Sequence, residues 1–334
     1  MAHGFVDRNR LWARLEAARS AAPRGLPLPL AVVDLDAFDA NAADLVRRAA
    51  GTPVRVASKS LRVPALVQRA LATPGFRGVL AYTLAEALWL HDQAICDDIL
   101  VAYPTVDRGA LESLVSSPSA AAGVTLMVDS REHLDLVDSV RASKAVQVRV
   151  AIDVDAGLRM AGQQVGPKRS PLYETRDVVE LARHVTNRAG FRLVGVMTYE
   201  GQVAGVPDAH PRQRARSLVV RRLKEASLGQ LAVRRRELAD ALAHALGADA
   251  LELWNAGGSG SVAESAADPV VTEVSAGSGL LVPTLFDHYR SFAPVPASFF
   301  GLPVTRRPSP EMATVHGGGL VASGPAGADR LPTP

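Results

Sequence analysis

Lysine is scarce in this chain. Only four of its 37 basic residues are lysines, namely Lys59, Lys144, Lys168 and Lys224. Lys59 lies in Val56-Ala57-Ser58-Lys59-Ser60, after an apolar run and before a helix start near Pro64. That places it at the end of a predicted strand. A primary amine held there can attack a carbonyl carbon and form a Schiff base. The plain alternative is a lysine on a solvated loop, which an isolated Ser-Lys-Ser would favour.

Two Gly/Ser turns give Lys59 a context. Asn255-Ala256-Gly257-Gly258-Ser259-Gly260-Ser261 follows the apolar run Leu251–Trp254, and Ser275-Ala276-Gly277-Ser278-Gly279 ends the next one. Such turns expose backbone N–H groups and hydroxyls, which can cradle a phosphate. Either turn alone could be a linker; as a pair after consecutive strands they are more specific. Other strand ends carry Asp153, Asp155 and Arg159, then Tyr199 and Glu200. Arg159 has the fork geometry to bind a carboxylate or a phenolic oxygen. Tyr199 can donate to a ring nitrogen or to substrate. Asp153 and Asp155 read slightly better as turn and cap residues. Tyr103 fits rim packing as well as a place in the mouth.

The elements that would position these groups form a regular series. Strand candidates are Val54–Ser58, Gly78–Tyr82, Ile99–Tyr103, Val124–Val128, Val146–Ile152, Leu193–Thr198, Leu251–Asn255 and Val271–Ser275. Helical spacing fills the gaps, as in Pro64–Leu71, Leu84–His91 and Arg131–Val140. Near-continuous apolar strands separated by helices indicate a parallel sheet covered on both faces. Eight such units predict a (β/α)8 barrel, with an open doubly wound sheet as the alternative. In a barrel the chemistry gathers at the C-terminal strand ends, with phosphate after strands seven and eight.

Composition excludes several classes. Of the 334 residues, 48% are hydrophobic and 21% charged, values that argue against disorder over most of the chain. No apolar run reaches the roughly 18 residues of a membrane span. Met1–Arg10 lacks the apolar core of a signal peptide. A single cysteine, Cys96, excludes an internal disulfide framework and a multi-thiolate metal site, and suits a cytoplasmic setting. Between Gly201 and Arg236, nine basic residues face only Asp208 and Glu225. With Leu218, Val219 and Leu223 at helical spacing and no aromatic for stacking, the segment predicts the solvated face of an amphipathic helix, not a nucleic-acid site.

The chain ends differ from the middle. Residues 1–25 predict an amphipathic helix through Leu11, Leu15 and Ala18. A Pro-rich hinge over Pro23–Pro29, the strand Leu30–Val33 and a helix over Asp39–Arg48 follow. In Gly301–Pro334, 12 of 34 residues are Gly or Pro, with a strand and turn predicted over Ala313–Leu320. The expected division is 1–33 for the helix and strand, 34–290 for the barrel, and 291–334 for the start of a small β domain built from both chain ends. That last domain is expected to be incomplete at Pro334.

A strand-end lysine with paired phosphate loops on a barrel resembles the pyridoxal phosphate enzymes of the alanine racemase type. The closer likeness is to the D-threonine aldolase and D-serine dehydratase branch, in the amino acid deaminase/aldolase form. It is carried by PLAVVDLDAFDANAADLVRRA, VRVASKSLRVPAL, VLAYTLAEALWL, ILVAYPTVD, TLMVDS, VAIDVDAGLRMAG, WNAGGSGSV and TEVSAGSG, over roughly residues 28–325. The resemblance implies Lys59 as the lysine that holds pyridoxal 5'-phosphate. It implies Gly257, Gly258, Ser259 and Gly260 as the first phosphate loop and Gly277 and Ser278 as the second. Arg159 matches the arginine of an IDxGxxRxG stretch, near the cofactor's phenolic oxygen or the substrate carboxylate, and Tyr199 matches the tyrosine after the sixth strand. A homodimer is implied too. So is a divalent metal, zinc or manganese, held by histidine with cysteine or aspartate in the C-terminal β domain; no ligands for it are identified, and His316 has no partner. Histidine commonly follows that tyrosine closely in relatives, whereas this chain reads Tyr199-Glu200-Gly201-Gln202-Val203.

The implied activity is a lyase on a small β-hydroxy D-amino acid. It acts either by retro-aldol cleavage or by dehydration and deamination, with Lys59 as the base for the α-proton. Racemisation is one alternative; it needs a second base, usually a C-terminal tyrosine, and no tyrosine follows Tyr289. A non-catalytic pyridoxal phosphate-binding protein is the other.

Overall fold

The computed structural model describes residues 8–22, 25–160 and 162–317. The strands, in chain order, are β1 (Leu30–Val33), β2 (Val54–Ala57), β3 (Phe76–Ala81), β4 (Ile99–Val101), β5 (Val124–Val128), β6 (Val148–Asp153), β7 (Leu158–Met160), β8 (Gln163–Val165), β9 (Phe191–Thr198), β10 (Leu253–Ala256), β11 (Glu273–Ala276), β12 (Ser298–Gly301), β13 (Val304–Ser309) and β14 (Met312–Val315). Eight of them close a parallel barrel in the order β10-β11-β2-β3-β4-β5-β6-β9. All eight predicted strands are among these, so the open sheet is excluded.

The barrel closes because its strands bury both faces. Outward positions such as Val54, Val56, Val79, Ile99, Val148 and Val196 join one cluster with the helices outside. Inward positions alternate with these. Leu100, Met127, Ala151, Met197 and Leu253 form a second cluster, with Leu80 packed against it. The register agrees, Met127 lying opposite Ala151 and Leu253 opposite Gly195. This interior is a filled core, as barrels of this size require. At the seam where β11 meets β2, the buried Arg55 donates to both oxygens of Glu273, at 2.8 and 2.7 Å, and to Asp98 at 3.0 Å. A buried pair of this kind persists because its remaining donors and acceptors are also met.

Helices cover the barrel where apolar spacing and caps predict them. Asp34 caps Leu35–Ala49 by accepting from the Asp36 and Ala37 N–H groups, which starts that helix four residues before the predicted Asp39. Pro64 opens Pro64–Leu71, and Thr83 caps Leu84–Asp92. Among the described residues the first helix runs over Arg8–Ala21.

The small sheets at the chain ends are antiparallel. β1 pairs with β12, Leu30 opposite Gly301 and Val33 opposite Ser298, and β13 pairs with β14. The predicted tail strand corresponds to Met312–Val315; Gly318–Leu320 and the rest of the tail lie outside the described residues.

The basic segment departs from expectation. The helix Arg214–Leu246 exposes Leu218 and Val219, while Lys224 and Arg235 are buried on it. Its inward face holds cations because acidic groups await them. Lys224 pairs with Asp208 at 3.4 Å, and Arg235 pairs with Glu200 at 3.0 Å and with Asp268 at 3.2 Å. No described helix is long and apolar enough to cross a membrane.

Candidate active site at the barrel mouth

Lys59 follows β2 in the short turn Ser58–Ser60 and is exposed at the C-terminal end of the barrel. Two strands of the same edge carry the Gly/Ser turns, since β2 pairs with β11 and β11 pairs with β10. The Ser259 hydroxyl joins the turns. It accepts from the Gly279 N–H at 2.8 Å and the Gly277 N–H at 3.3 Å, and Ser278 Oγ lies 3.4 Å away. Gly258 N–H donates to Ser261 Oγ at 3.2 Å, and Gly257 N–H to Glu200 at 3.3 Å. Among the described residues, the backbone N–H groups of Ser259, Gly260 and Ser278 take no partner. Backbone donors left free in neighbouring turns are the groups an anion would satisfy.

Glycine is needed at two of these positions by close approach. A Cβ on Gly277 would meet the Ala57 carbonyl and lie 2.9 Å from Ala57 Cβ, on the strand that leads to Lys59. A Cβ on Gly260 would run into the Ala204 carbonyl and come 2.6 Å from the Tyr289 ring.

Glu200 anchors the first turn from below. It is fully buried. One oxygen accepts from Ser261 Oγ at 2.8 Å and from Ser265 Oγ; the other accepts from Arg235 and from the Gly257 N–H. Arg235 also reaches Thr198, Nε to Oγ1 at 2.9 Å, and Trp254 Nε1 donates to the same hydroxyl at 3.0 Å. Thus β9 and the long helix hold the turn after β10 in place. Glu200 stands beside Tyr199 in the sequence with no role legible there, because a four-way buried network leaves no local pattern.

Tyr199 is half-buried beside the first turn. A Cβ on Gly258 would lie 3.3 Å from its ring. Burial, with the Glu200 charge adding to it and Arg169 opposing, pushes the phenol up to about 12, so it stays a neutral donor at neutral pH.

The opposite wall holds a group that the sequence reading missed. Arg169 is only 12% exposed. Its Nη2 donates to the Ala102 carbonyl at 2.8 Å and lies 3.2 Å from Asp153 Oδ2. The guanidinium lies 4.6 Å from the Tyr103 ring centroid and 5.4 Å from that of Tyr199. Tyr103 in turn meets Tyr82 edge-on at 5.5 Å. Asp153 is therefore not a turn residue. It is buried at the end of β6, and its Oδ1 has no partner among the described residues. Burial raises its carboxyl to about 6 against the pull of Arg169, and the neighbouring Asp129 and Asp155 add to the rise. Asp155 does serve a turn, accepting from the Gly157 N–H at 2.7 Å and from Gln164 at 2.8 Å.

Arg159 lies elsewhere, on the β7-β8 hairpin, opposite Gln164. Its guanidinium is 3.4 Å from the Tyr173 ring centroid and 3.0 Å from Glu174, and it is 46% exposed. Arg234 meets the same ring at 3.6 Å. Gln202, near where relatives commonly carry histidine, donates to Ala156 O at 2.8 Å and Ser227 Oγ at 2.7 Å. The structure thus gathers Lys59, both turns and Tyr199 at the mouth, and does not bring Arg159 to them. The only signal for Arg169 was its place in Gly166-Pro167-Lys168-Arg169-Ser170-Pro171, an arginine in a Pro-bounded loop with no helix to solvate.

Among the described residues, no group of three or more His, Cys, Asp or Glu side chains could hold a metal ion. His316 is exposed, its backbone N–H bonded to Pro303 O at 2.9 Å. Those residues do not fit the divalent metal that the resemblance implies.

Known proteins share this fold. The alanine racemase N-terminal domain profile matches residues 33–280. D-threonine aldolase from Arthrobacter sp is 27% identical over 252 residues, which make up 75% of this chain and 60% of that protein. The chain therefore spans about three-fifths of the length of that curated relative. Among solved structures, D-threonine aldolase from Filomicrobium marinum superposes with a TM-score of 0.66 at 21% identity, over 85% of this chain and 70% of that one. D-threo-3-hydroxyaspartate dehydratase from Delftia sp. HT23 gives 0.62 at 23% identity, over 84% and 68%. Alanine racemase from E. faecalis gives 0.57 at 14% identity, over 83% and 67%. At these identities the superpositions establish the fold.

Proposed function

The chain belongs to the alanine racemase N-terminal domain family, and from that membership we propose that it binds pyridoxal 5'-phosphate and acts as a lyase on a small β-hydroxy D-amino acid. The observation that carries the reading is the pair of turns joined by Ser259, whose free N–H groups open beside the strand that ends in Lys59. These residues fit the cofactor. The N–H groups of Ser259, Gly260 and Ser278 would hold its phosphate, and Lys59 would hold its carbonyl carbon. Tyr199, packed beside Gly258, would flank the phosphate with a neutral hydroxyl. When bound, pyridoxal phosphate supplies an electron sink for charge released at the substrate's α-carbon.

The protein's own part is placement and proton transfer. Glu200 holds the first turn rigid, so the phosphate donors need no reorganisation. Lys59, with its amine free, would be the base for the α-proton in a dehydration. A retro-aldol cleavage instead requires the β-hydroxyl to lose its proton. The aldolase and dehydratase among the relatives support both routes. A homodimer in the cytoplasm and a small amino acid as the sole partner complete the proposal.

Product analysis tests it. The chain loaded with pyridoxal phosphate should form glycine and acetaldehyde from D-threonine, or pyruvate and ammonia from D-serine. Interconversion of enantiomers without either product would favour a racemase, and cofactor binding with no turnover would favour a carrier.

A further inference from the structure

Arg169 is built into the mouth more firmly than an incidental loop arginine. One edge of its guanidinium is fixed by Asp153 and the Ala102 carbonyl. The Tyr103 and Tyr199 rings lie beside it, with centroids 4.6 and 5.4 Å from the guanidinium carbon. Those anchors lie at the ends of β4 and β6. In the closed order β10-β11-β2-β3-β4-β5-β6-β9, β4 stands directly across from β10, and β6 directly across from β2. The turns with free N–H groups follow β10 and β11, and Lys59 follows β2. Arg169 is therefore anchored on strands across the barrel from those that carry the first turn and the lysine, and Tyr199 touches both it and Gly258.

We propose that Arg169 receives the carboxylate of the amino acid substrate, with Asp153 as the residue that positions it. This rests on the cofactor reading above, which puts the phosphate on the β10-β11 side and leaves the β4-β6 side to the amino acid. A guanidinium is the cation suited to this task, because its planar donors match a carboxylate. Its bonds to Asp153 and the Ala102 carbonyl keep it in one orientation before the ligand arrives, so little freedom is lost on binding. Arg159 does not have this role. It is committed to Glu174 and the Tyr173 face on the hairpin.

The test compares ligands that differ only in the carboxylate. Calorimetric titration of D-serine and of 2-aminoethanol is run with and without pyridoxal phosphate, on the wild type, Arg169→Gln, Arg169→Lys and Arg159→Gln. A charge-assisted hydrogen bond predicts a preference for D-serine of about tenfold to a hundredfold in the wild type. Arg169→Gln should abolish that preference while leaving 2-aminoethanol and pyridoxal phosphate affinities within about threefold; Arg169→Lys should restore part of it, and Arg159→Gln should keep it. A preference retained in Arg169→Gln, or lost in Arg159→Gln, overturns the assignment. A loss of pyridoxal phosphate affinity alone in Arg169→Gln overturns it too, since the arginine would then serve the cofactor. If the wild type binds no pyridoxal phosphate, the cofactor reading fails separately, and the preference measured without cofactor still decides the role of Arg169.

Discussion

Replacing Glu200 with alanine should be among the most damaging single changes in the barrel. Its carboxylate is fully buried and accepts four hydrogen bonds, from Arg235, Ser261, Ser265 and the Gly257 N–H. Glu200→Ala leaves Arg235, only 2% exposed, with Asp268 as its remaining acid at 3.2 Å. Breaking a buried ion pair from one side costs about 3–5 kcal/mol. Three neutral donors are orphaned as well, at about 1–3 kcal/mol each before the cavity relaxes or water enters. We expect a net loss of about 5 kcal/mol. Glu200→Gln keeps the volume and two acceptor sites, and should lose about 2–3 kcal/mol. Glu252 provides the control, because it pairs with arginine too, with both Arg149 and Arg192, but its side chain is 37% exposed. Glu252→Ala should cost under about 1 kcal/mol. Urea unfolding of the three variants, with midpoint and slope both fitted, measures these differences. If Glu200→Ala lies within about 1 kcal/mol of the wild type, or if Glu252→Ala costs as much, the Glu200 network does not hold the turn.

Three further outcomes follow from the same geometry. Ser259→Ala removes the hydroxyl that accepts from Gly277 and Gly279, so pyridoxal phosphate should bind about tenfold more weakly while melting shifts little; equilibrium titration checks this. Gly277→Ala forces a methyl against Ala57 and should destabilise the fold by about 1–3 kcal/mol, read by thermal unfolding. Asp153 titrates near 6 when folded, against 3.8 as a free carboxyl, so its neutral form favours the folded state. That contribution is fully present below about pH 4 and is lost as pH rises through about 6, about 3 kcal/mol in all. Asp153→Asn should remove this part of the pH dependence, as seen by comparing urea unfolding of the two proteins between pH 4 and 7.

Much of the frame was legible because barrel strands are buried on both faces. Val54, Ile99, Val124 and Val148 therefore stand in β-branched runs that need no partner to be recognised. The Gly/Ser turns were legible because close approach permits only glycine at positions such as Gly277. What escaped was set by distant pairing. The β7-β8 hairpin is too short and polar to show alternation. Lys224 and Arg235 look like solvated cations until Asp208 and Glu200 are seen opposite them. Arg159 and Arg169 differ by ten positions in an irregular segment, and only the folded path shows that Arg169 reaches the mouth. The exposure of Leu218 and Val219 has a related cause, since the inward face of that helix carries Ser217, Lys224 and Ser227 in its first half and turns apolar only at Leu231, Leu238 and Leu242.

The central claim is that Lys59 holds pyridoxal phosphate beside the paired turns. The most direct measurement is borohydride reduction of the chain mixed with pyridoxal phosphate, followed by peptide mass analysis. The account predicts one pyridoxyl group, on the peptide that contains Lys59, and none on the Lys59→Ala protein. Labelling spread over Lys144, Lys168 and Lys224, or no labelling at Lys59, would contradict it.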